Sequence, residues 1–368
     1  MSTSSRRVLV AGCGLIGTSI ALALRQRGHR VWLSDMNDAH LRQAEQQGAG
    51  DAHRGEHADI VVVAVPPSST AEVIAAHLNQ DEDATVTDTA SIKAHVQRDI
   101  EQLAAAEQPP PDTARYVGGH PLAGRERGGP QRARADLFAG RAWALTPTPA
   151  TRPAALKDAR WLVHECGATP VIIDAVDHDQ ALALTSHVPQ LVASALAAQL
   201  ADQPDDILEL VGQGLRDMTR IAAADSALWA DIASGNAQPL ADATDSLAGT
   251  LQRTASALRD GTGAAAVAHL VDAGRAGLRR LPGKHGGEAR SFIAVSVVVR
   301  DQPGEFARLL TDTAAAAVNV EDLRVEHAPG LPMGLIEVFV GPEAAATLRA
   351  ALASRGWTLI DDEPVSEE

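Results

Sequence analysis

The sequence predicts three folding units in tandem: an α/β domain built on a parallel sheet, an all-α domain, and a small βαββαβ unit of ferredoxin-like order. Three observations carry this prediction. In the first half, short apolar β-branched runs alternate with helical stretches, the pattern of strands buried on both faces. From about Asp174 the β signal stops and Ala- and Leu-rich helical stretches take over. After Pro282-Gly283-Lys284-His285-Gly286-Gly287, an evident linker, strands and helices alternate again.

The strands expected in the first unit are Val8–Ala11, Val31–Ser34, Ile60–Val65, Thr85–Asp88, Tyr116–Gly118, Trp143–Thr146 and Pro170–Ile173, with Pro-rich loops at Pro109–Pro111 and Pro147–Pro153. Helical stretches follow at Asp179–Ala201, Asp206–Ala224, Ser226–Asp260 and Gly263–Leu281, their small apolar residues suiting close helix packing. The third must break near Ser234-Gly235-Asn236, where turn residues precede Pro239. The last unit reads strand Phe292–Arg300, helix Gly304–Ala317, strands Asn319–His327 and Gly334–Gly341, helix Pro342–Ser354 and strand Trp357–Ile360. The domains are therefore expected at 1–174, 175–283 and 291–361, joined by a linker at 284–290, with a frayed charged tail Asp361–Glu368.

A chain of 368 residues suits two or three domains. Aromatics are only 3% of a 45% hydrophobic composition, so the core must rest on Ala, Val, Leu and Ile. A net charge of −15 excludes a nucleic-acid partner, which needs a basic face; the Arg-rich stretch Arg125–Arg141 suits only small anions. Cys13 and Cys166 make neither a disulfide framework nor a metal pattern. No apolar leader precedes the first strand and no run reaches the ~18 apolar residues of a membrane span, so a soluble, cytoplasmic protein is expected.

Gly12-Cys13-Gly14-Leu15-Ile16-Gly17 matches G-x-G-x-x-G, and it sits where that motif carries meaning, between a strand and a helix. Gly12 permits the tight turn, Gly14 lets a pyrophosphate approach the backbone, and Gly17 lets the helix pack closely. The helix N-terminus at Leu15 and Ile16 then faces the phosphates. Asp35, about 20 residues on, ends the second strand where a carboxylate accepts from ribose hydroxyls and repels a 2′-phosphate. A Rossmann-type domain binding NAD is expected, with Val65 and Pro66 lining the cofactor beyond the third main strand.

Two further segments end at the same edge: Thr87-Asp88-Thr89-Ala90-Ser91-Ile92-Lys93 and Gly118-Gly119-His120-Pro121-Leu122-Ala123-Gly124. Together with Gly12–Gly17, Ser186-His187-Val188-Pro189-Gln190, Leu215–Ala222 and Ser226–Ile232, they resemble in order and spacing the prephenate and arogenate dehydrogenase family over about residues 7–282. The resemblance implies an NAD+-dependent oxidative decarboxylation of a cyclohexadienyl substrate on the path to tyrosine. It implies that His120 accepts the ring hydroxyl's proton, a role that suits an imidazole; from the bare sequence His120 equally suits a strand end held by backbone hydrogen bonds. Ser91 is similar to the serine that hydrogen-bonds the substrate hydroxyl beside the nicotinamide, and it also suits an N-cap for a helix from Ile92. Arg220, with Arg216 a turn before it, resembles the guanidinium that clamps the substrate carboxylate. Trp229 and Glu126 match family positions near the substrate pocket, though Trp229 also suits the core of a bundle poor in aromatics; His187 is a further substrate-side candidate, although a histidine before Val-Pro in a helix more often serves the structure. Lys93 reads as a helix-surface residue within reach of the cofactor.

Two departures stand out. Gln190 replaces a histidine common in relatives, and Arg125 replaces a small residue, so prephenate and arogenate both remain candidate substrates. A β-hydroxyacid dehydrogenase would carry a catalytic lysine where Arg216 and Arg220 stand, and a non-catalytic NAD- and amino-acid-sensing regulator would not need His120, Ser91 and Arg220 together. His53 and His57 stand four apart as zinc ligands on a helix would, but Gly55 between them marks a loop, and no metal is expected.

Residues 291–361 resemble an ACT domain, a module that binds amino acids, through Asp301-Gln302-Pro303-Gly304 and Asn319. The resemblance implies an amino-acid effector at Asp301, Pro303, Gly304 and Asn319, tyrosine ahead of phenylalanine. A ligand-free dimerisation module remains the other reading. A homodimer is expected from this unit and from the helical segment.

Overall fold

The computed structural model describes residues 5–80, 83–108, 110–123, 128–281, 292–327 and 332–360. Glu126, Arg125, the linker 284–290 and the tail 361–368 lie outside the described residues. The chain divides into two compact units, Met1–Gly249 and Thr250–Glu368.

The first unit is organised by an eight-stranded sheet of β1 (Arg7–Ala11), β2 (Arg30–Ser34), β3 (Asp51–Ala52), β4 (Ile60–Val63), β5 (Thr85–Asp88), β6 (Tyr116–Pro121), β7 (Ala142–Thr146) and β8 (Thr169–Ile172). Their spatial order is β3-β2-β1-β4-β5-β6-β7-β8. Because side chains alternate across a strand, β1 sends Val8 and Val10 to one face and Leu9 to the other. The first face packs Ile20 and Leu24 of helix Leu15–Gln26 and Leu162 and Val163 of helix Pro153–Glu165. The second packs Ile74 and Leu78 of helix Pro67–Gln80 and Val96 and Ile100 of helix Ala94–Ala106. Helices on both faces explain why the strands are apolar throughout rather than alternating.

From β3 to β6 all pairings are parallel. The sheet is nevertheless mixed, not wholly parallel as the alternation predicts, because β6 and β7 pair antiparallel. A parallel return needs a long crossover, usually a helix. Between β6 and β7 the described residues hold only a 3-10 turn at Pro130–Arg132, so the chain folds straight back. This pairing also lengthens β6 beyond the expected Gly118, carrying His120 and Pro121 into the sheet.

Asp174 caps the next helix, accepting from Val176 N at 2.8 Å and Asp177 N at 3.4 Å. That helix therefore starts at Ala175, four residues before the expected Asp179. It runs through a π turn at Ala183–His187 into Val188–Ala198. Pro189, with no N–H and a ring that crowds the carbonyl four residues back, accounts for the widened turn. The joined stretch Ala175–Ala198 is 24 residues with a window of mean hydropathy 1.3, long and apolar enough on those measures to cross a bilayer. That corrects the sequence expectation of no membrane-length run; the same stretch carries buried His178, Asp179 and His187.

The stretch expected as one helix at Asp206–Ala224 is broken into Asp205–Leu208, Gln213–Thr219 and a 3-10 turn Arg220–Ala223, with Gly212 and Gly214 at the interruption. Helices Ser226–Gly235 and Ala237–Arg259 meet at Asn236, the break that the turn residues predict.

In the second unit helix Gly263–Leu278 precedes β9 (Ile293–Arg300), β10 (Asp322–His327), β11 (Met333–Val340) and β12 (Thr358–Ile360). The four form an antiparallel sheet of order β10-β11-β9-β12. Val295, Val297 and Val299 alternate inward with Ile336, Val338 and Val340. They meet Leu309 of helix Glu305–Ala315 and Leu348 and Leu352 of helix Pro342–Ser354.

Candidate active site

The carboxyl ends of β1, β4, β5 and β6 lie along one edge, since these neighbours run parallel. Strand order reverses at β1, which has β2 on one side and β4 on the other, and such a switch point opens a crevice for a ligand. Gly12 follows β1 with φ +103°, and its N–H bonds the Ser34 carbonyl at 2.7 Å. A Cβ on Gly12 would lie 2.3 Å from the Ala64 carbonyl oxygen, and one on Gly17 would lie 1.9 Å from the Gly12 carbonyl oxygen. Both glycines are thus required by the fold. Gly14 is different: a Cβ there would meet nothing within 4 Å. Its backbone faces open space at the N-terminus of helix Leu15–Gln26, where Leu15 is buried and Ile16 half-buried. That combination fits a dinucleotide pyrophosphate, held by orphan N–H groups of the first turn.

Asp35 is tied to the same loop. Its Oδ2 accepts from Cys13 N at 2.6 Å and its Oδ1 from Asn37 N at 2.7 Å, leaving each oxygen a lone pair for a ribose hydroxyl. Val65 is half-buried and Pro66 exposed just beyond β4. We expect Gly14→Ala to leave the unfolding midpoint unchanged while NAD+ affinity falls about tenfold or more, the change made by 1.4 kcal/mol. Fluorescence titration with retained affinity would show that the pyrophosphate does not cross Gly14.

Beyond β5 and β6 lies a buried polar cluster. Asp88 and Lys93 are 0% and 1% exposed, and the Lys93 ammonium donates to the Asp88 carboxylate. Lys93 Nζ also donates to the Gly119 carbonyl at 2.7 Å. Asp88 accepts in addition from Gly119 N at 2.8 Å, Tyr116 OH at 3.2 Å and Ala90 N at 3.2 Å. Gly118 and Gly119 make room for this pair: a Cβ on Gly119 would lie 2.5 Å from the Asp88 carbonyl oxygen. The backbone beneath His120 is therefore clamped from both sides.

The His120 ring, half-buried at the end of β6, meets a second histidine. Nδ1 of His120 lies 2.9 Å from Nε2 of His178, and Nδ1 of His178 lies 2.8 Å from Oδ1 of Asp179. Asp179 also takes the backbone N–H of Lys93 at 2.9 Å and of Ala94 at 2.8 Å. On its far side Asn236 donates Nδ2 to the Asp179 carbonyl at 2.7 Å and lies 3.1 Å from Nδ1 of His187. His187 in turn packs edge-on against Trp229, ring centroids 5.9 Å apart.

Burial depresses the His120 pKa well below the usual imidazole range, and His178, the Lys93 ammonium and His187 add to the effect. His187 is lowered by burial, partly offset by the Asp179 carboxylate. Burial lowers Lys93 despite the Asp88 carboxylate. A neutral imidazole at a strand end, beside a dinucleotide crevice, is equipped to accept a proton from a hydroxyl as hydride leaves the same carbon.

Of the residues the sequence points to, the structure joins His120, His187 and Trp229 through this network. Gln190 is buried and donates Nε2 to Ser194 Oγ at 3.2 Å and to the Ile221 carbonyl at 3.1 Å, anchoring the turn that Arg220 opens. Arg216 and Arg220 both expose their side chains. Ser91 is half-buried in the loop after β5, but it is not an N-cap: the helix begins at Ala94, two residues later than expected. Lys93 is corrected more sharply, from a helix-surface residue to a fully buried cation. His178, Asp179, Asp88 and Asn236 were not singled out in the sequence. The signal for Asp88 and Lys93 was available, as two opposite charges within one apolar strand–loop segment.

Asp301, Pro303 and Gly304 are exposed at the start of helix Glu305–Ala315, with Gly304 at φ +95°. Asn319 is also exposed and donates to Glu321 Oε1 at 2.6 Å.

A Rossmann-like nucleotide-binding domain with a glycine cradle for NAD, a switch-point crevice and a half-buried strand-end histidine defines the class as an NAD-dependent dehydrogenase. Residues 20–172 match the nucleotide-binding domain of prephenate dehydrogenase and residues 174–271 its dimerization domain. The chain belongs to the prephenate dehydrogenase family. It is 38% identical over 363 residues to NovF of Streptomyces niveus, described as a probable prephenate dehydrogenase, covering 96% of this chain and 99% of that one. It is 28% identical over 341 residues to the prephenate dehydrogenase of Bacillus subtilis, covering 88% and 89%. Among solved structures, prephenate dehydrogenase of A. aeolicus with hydroxyphenyl propionate and NAD+ superposes with a TM-score of 0.67 at 27% identity, covering 76% of this chain and 99% of that one.

Proposed function

We propose that this chain oxidises prephenate with NAD+, releasing CO2 and 4-hydroxyphenylpyruvate, a precursor of tyrosine. The observation that carries the reading is the position of His120, a neutral imidazole at the crevice edge of a family member's nucleotide-binding domain. NAD+, when bound, supplies the hydride acceptor. His120 takes the ring hydroxyl's proton as hydride leaves the same carbon. The ring carboxylate departs as CO2, its electron pair aromatises the ring, and His120 returns the proton to the phenolate oxygen. Ser91 holds the substrate hydroxyl near His120, and Arg220, with Arg216, takes the side-chain carboxylate in a bidentate fork. Trp229, His187 and Gln190 form the wall behind the substrate.

The decisive assay follows NADH and CO2 with NAD+ and, in parallel, prephenate and arogenate. Both substrates belong in it because a Synechocystis arogenate dehydrogenase also superposes, with a TM-score of 0.62 at 26% identity, covering 75% of this chain and 100% of that one. Turnover of arogenate alone replaces the ketoacid reading by an amino-acid one. No turnover of either, with NAD+ bound, favours the non-catalytic regulator. Arg220→Ala should mainly raise the prephenate KM, by about tenfold or more for a lost charge-assisted pair of 1.5–3 kcal/mol; an unchanged KM removes Arg220 from the carboxylate role.

The C-terminal sheet order and its two helices support reading residues 291–361 as a ferredoxin-like ACT module. Its effector would be tyrosine, received at Asp301, Pro303, Gly304 and Asn319. The match to a dimerization domain, with Leu184 and Leu191 exposed on the long helical stretch, supports a homodimer.

A further inference from the structure

We propose that His178 and Asp179 are positioning residues that fix His120 as the Nδ1–H tautomer, leaving Nε2 as the bare atom that takes the substrate's proton. The inference rests on the catalytic reading of His120 given above.

It follows from asking, bond by bond, which group can donate. A carboxylate only accepts. Asp179 already receives two backbone N–H groups, Lys93 at Oδ1 and Ala94 at Oδ2, at the start of helix Ala94–Ala106. A helix N-terminus favours negative charge there. The 2.8 Å contact to His178 Nδ1 therefore requires His178 to donate. A neutral imidazole has one proton, so His178 Nε2 is an acceptor, and the 2.9 Å contact to His120 Nδ1 requires His120 to donate in turn. His120 is left with Nε2 bare. A doubly protonated His178 would reverse the last bond and place the His120 proton on Nε2, the outcome that the 15N spectra below would show.

His187 is fixed in the same way. Asn236 Nδ2 donates to the Asp179 carbonyl, so that atom is the amide nitrogen, and its second hydrogen goes to His187 Nδ1 at 3.1 Å. His187 then carries its proton on Nε2. One carboxylate-bearing residue, Asp179, thus touches both chains of bonds, through its side chain toward His120 and its carbonyl toward His187. The two histidines present opposite valences, an acceptor and a donor.

When His120 takes the proton it becomes a cation, and its Nδ1–H still points at His178, whose own proton still points at Asp179. The charge formed in the reaction is met by a carboxylate two hydrogen bonds away, with no group needing to turn. The carboxylate that orients a histidine base in hydrolytic triads works by the same tautomer control.

The test uses the full-length protein with NAD+ bound and 15N-labelled histidine. One-bond and long-range 1H–15N spectra report which ring nitrogen is bare, and His120→Asn and His187→Asn assign the signals. The expected result is a bare Nε2 in His120 and a bare Nδ1 in His187; neutral His120 with its proton on Nε2 overturns the proposal. This readout does not depend on turnover, so it decides the tautomer even if His120→Asn proves that His120 is not the base. In kinetics, His178→Leu should lower kcat by about 10²-fold, the scale of a lost proton-transfer partner, with prephenate KM and NAD+ affinity retained. His178→Gln, which places a carbonyl acceptor before His120 Nδ1, should recover most of that loss. If leucine and glutamine lower kcat equally, His178 is merely structural and the proposal fails.

Discussion

Replacing His120 by asparagine should lower kcat by about 10²-fold or more, the usual contribution of a positioned base, while NAD+ should bind as before. The separation follows from where the parts sit. The glycine cradle belongs to the β1 turn and His120 to the end of β6, with β4 and β5 between them. Asparagine keeps a polar side chain near His178, so the Asp88–Lys93 clamp under the strand is undisturbed. The pH profile gives a second reading of the same residue. On the proposed mechanism the neutral ring is the active form, and burial, with the Lys93 ammonium nearby, holds its pKa well below 6.5. The acid limb of kcat/KM set by His120 therefore falls at lower pH than a free imidazole would give, and asparagine abolishes that limb. A limb at 6.5 or above would mean that the ring is solvated in the working enzyme. Stability moves with pH for the same reason. Below 6.5 the unfolded chain takes up protons that buried His120 and His187 resist, so the fold loses stability as pH falls through that range.

The glycine turn, the β-strand runs and the carboxylate at Asp35 were legible in the sequence because each is a local requirement. Gly12 needs positive φ, Gly17 needs room beneath the first helical turn, and neither depends on distant chain. The C-terminal element order was legible for a similar reason: Val295, Val297 and Val299 alternate as a half-buried strand must. What escaped was fixed by contacts made far along the chain. Lys93 reads as an exposed helix residue until β6 delivers the Gly119 carbonyl from 26 residues away. His178 and Asp179 look like the polar start of a helix until the fold sets them against His120 and the N–H groups of Lys93 and Ala94, some 58 and 86 residues distant. The antiparallel turn of β7 was hidden because strand runs carry no direction; the sign of it was a connection with no crossover helix among its described residues. Motif resemblance pointed to His120 but not to His178 and Asp179, which meet it only through the folded geometry.

Lys93→Met should be the most destabilising single change at the site, by about 3–5 kcal/mol, the cost of stripping one partner from a buried ion pair. Against a total of about 5–15 kcal/mol for a folded domain, that is enough to lower the denaturation midpoint visibly. The cost arises on the side left behind. Asp88 would keep its bonds from Gly119 N, Tyr116 OH and Ala90 N, but its charge would sit fully buried with no cation. The double variant Asp88→Asn with Lys93→Met removes that charge as well, and should recover a large part of the loss in urea or thermal unfolding. If the double variant is as unstable as the single one, the damage is a packing defect and the charge argument is wrong. The same substitution reaches the chemistry. The Lys93 ammonium helps to depress His120, so the surviving folded fraction of Lys93→Met should show its acid limb displaced upward, toward 6.5. A lysine that serves only the fold would lower stability and leave that limb in place. A lysine that also keeps His120 neutral must move both.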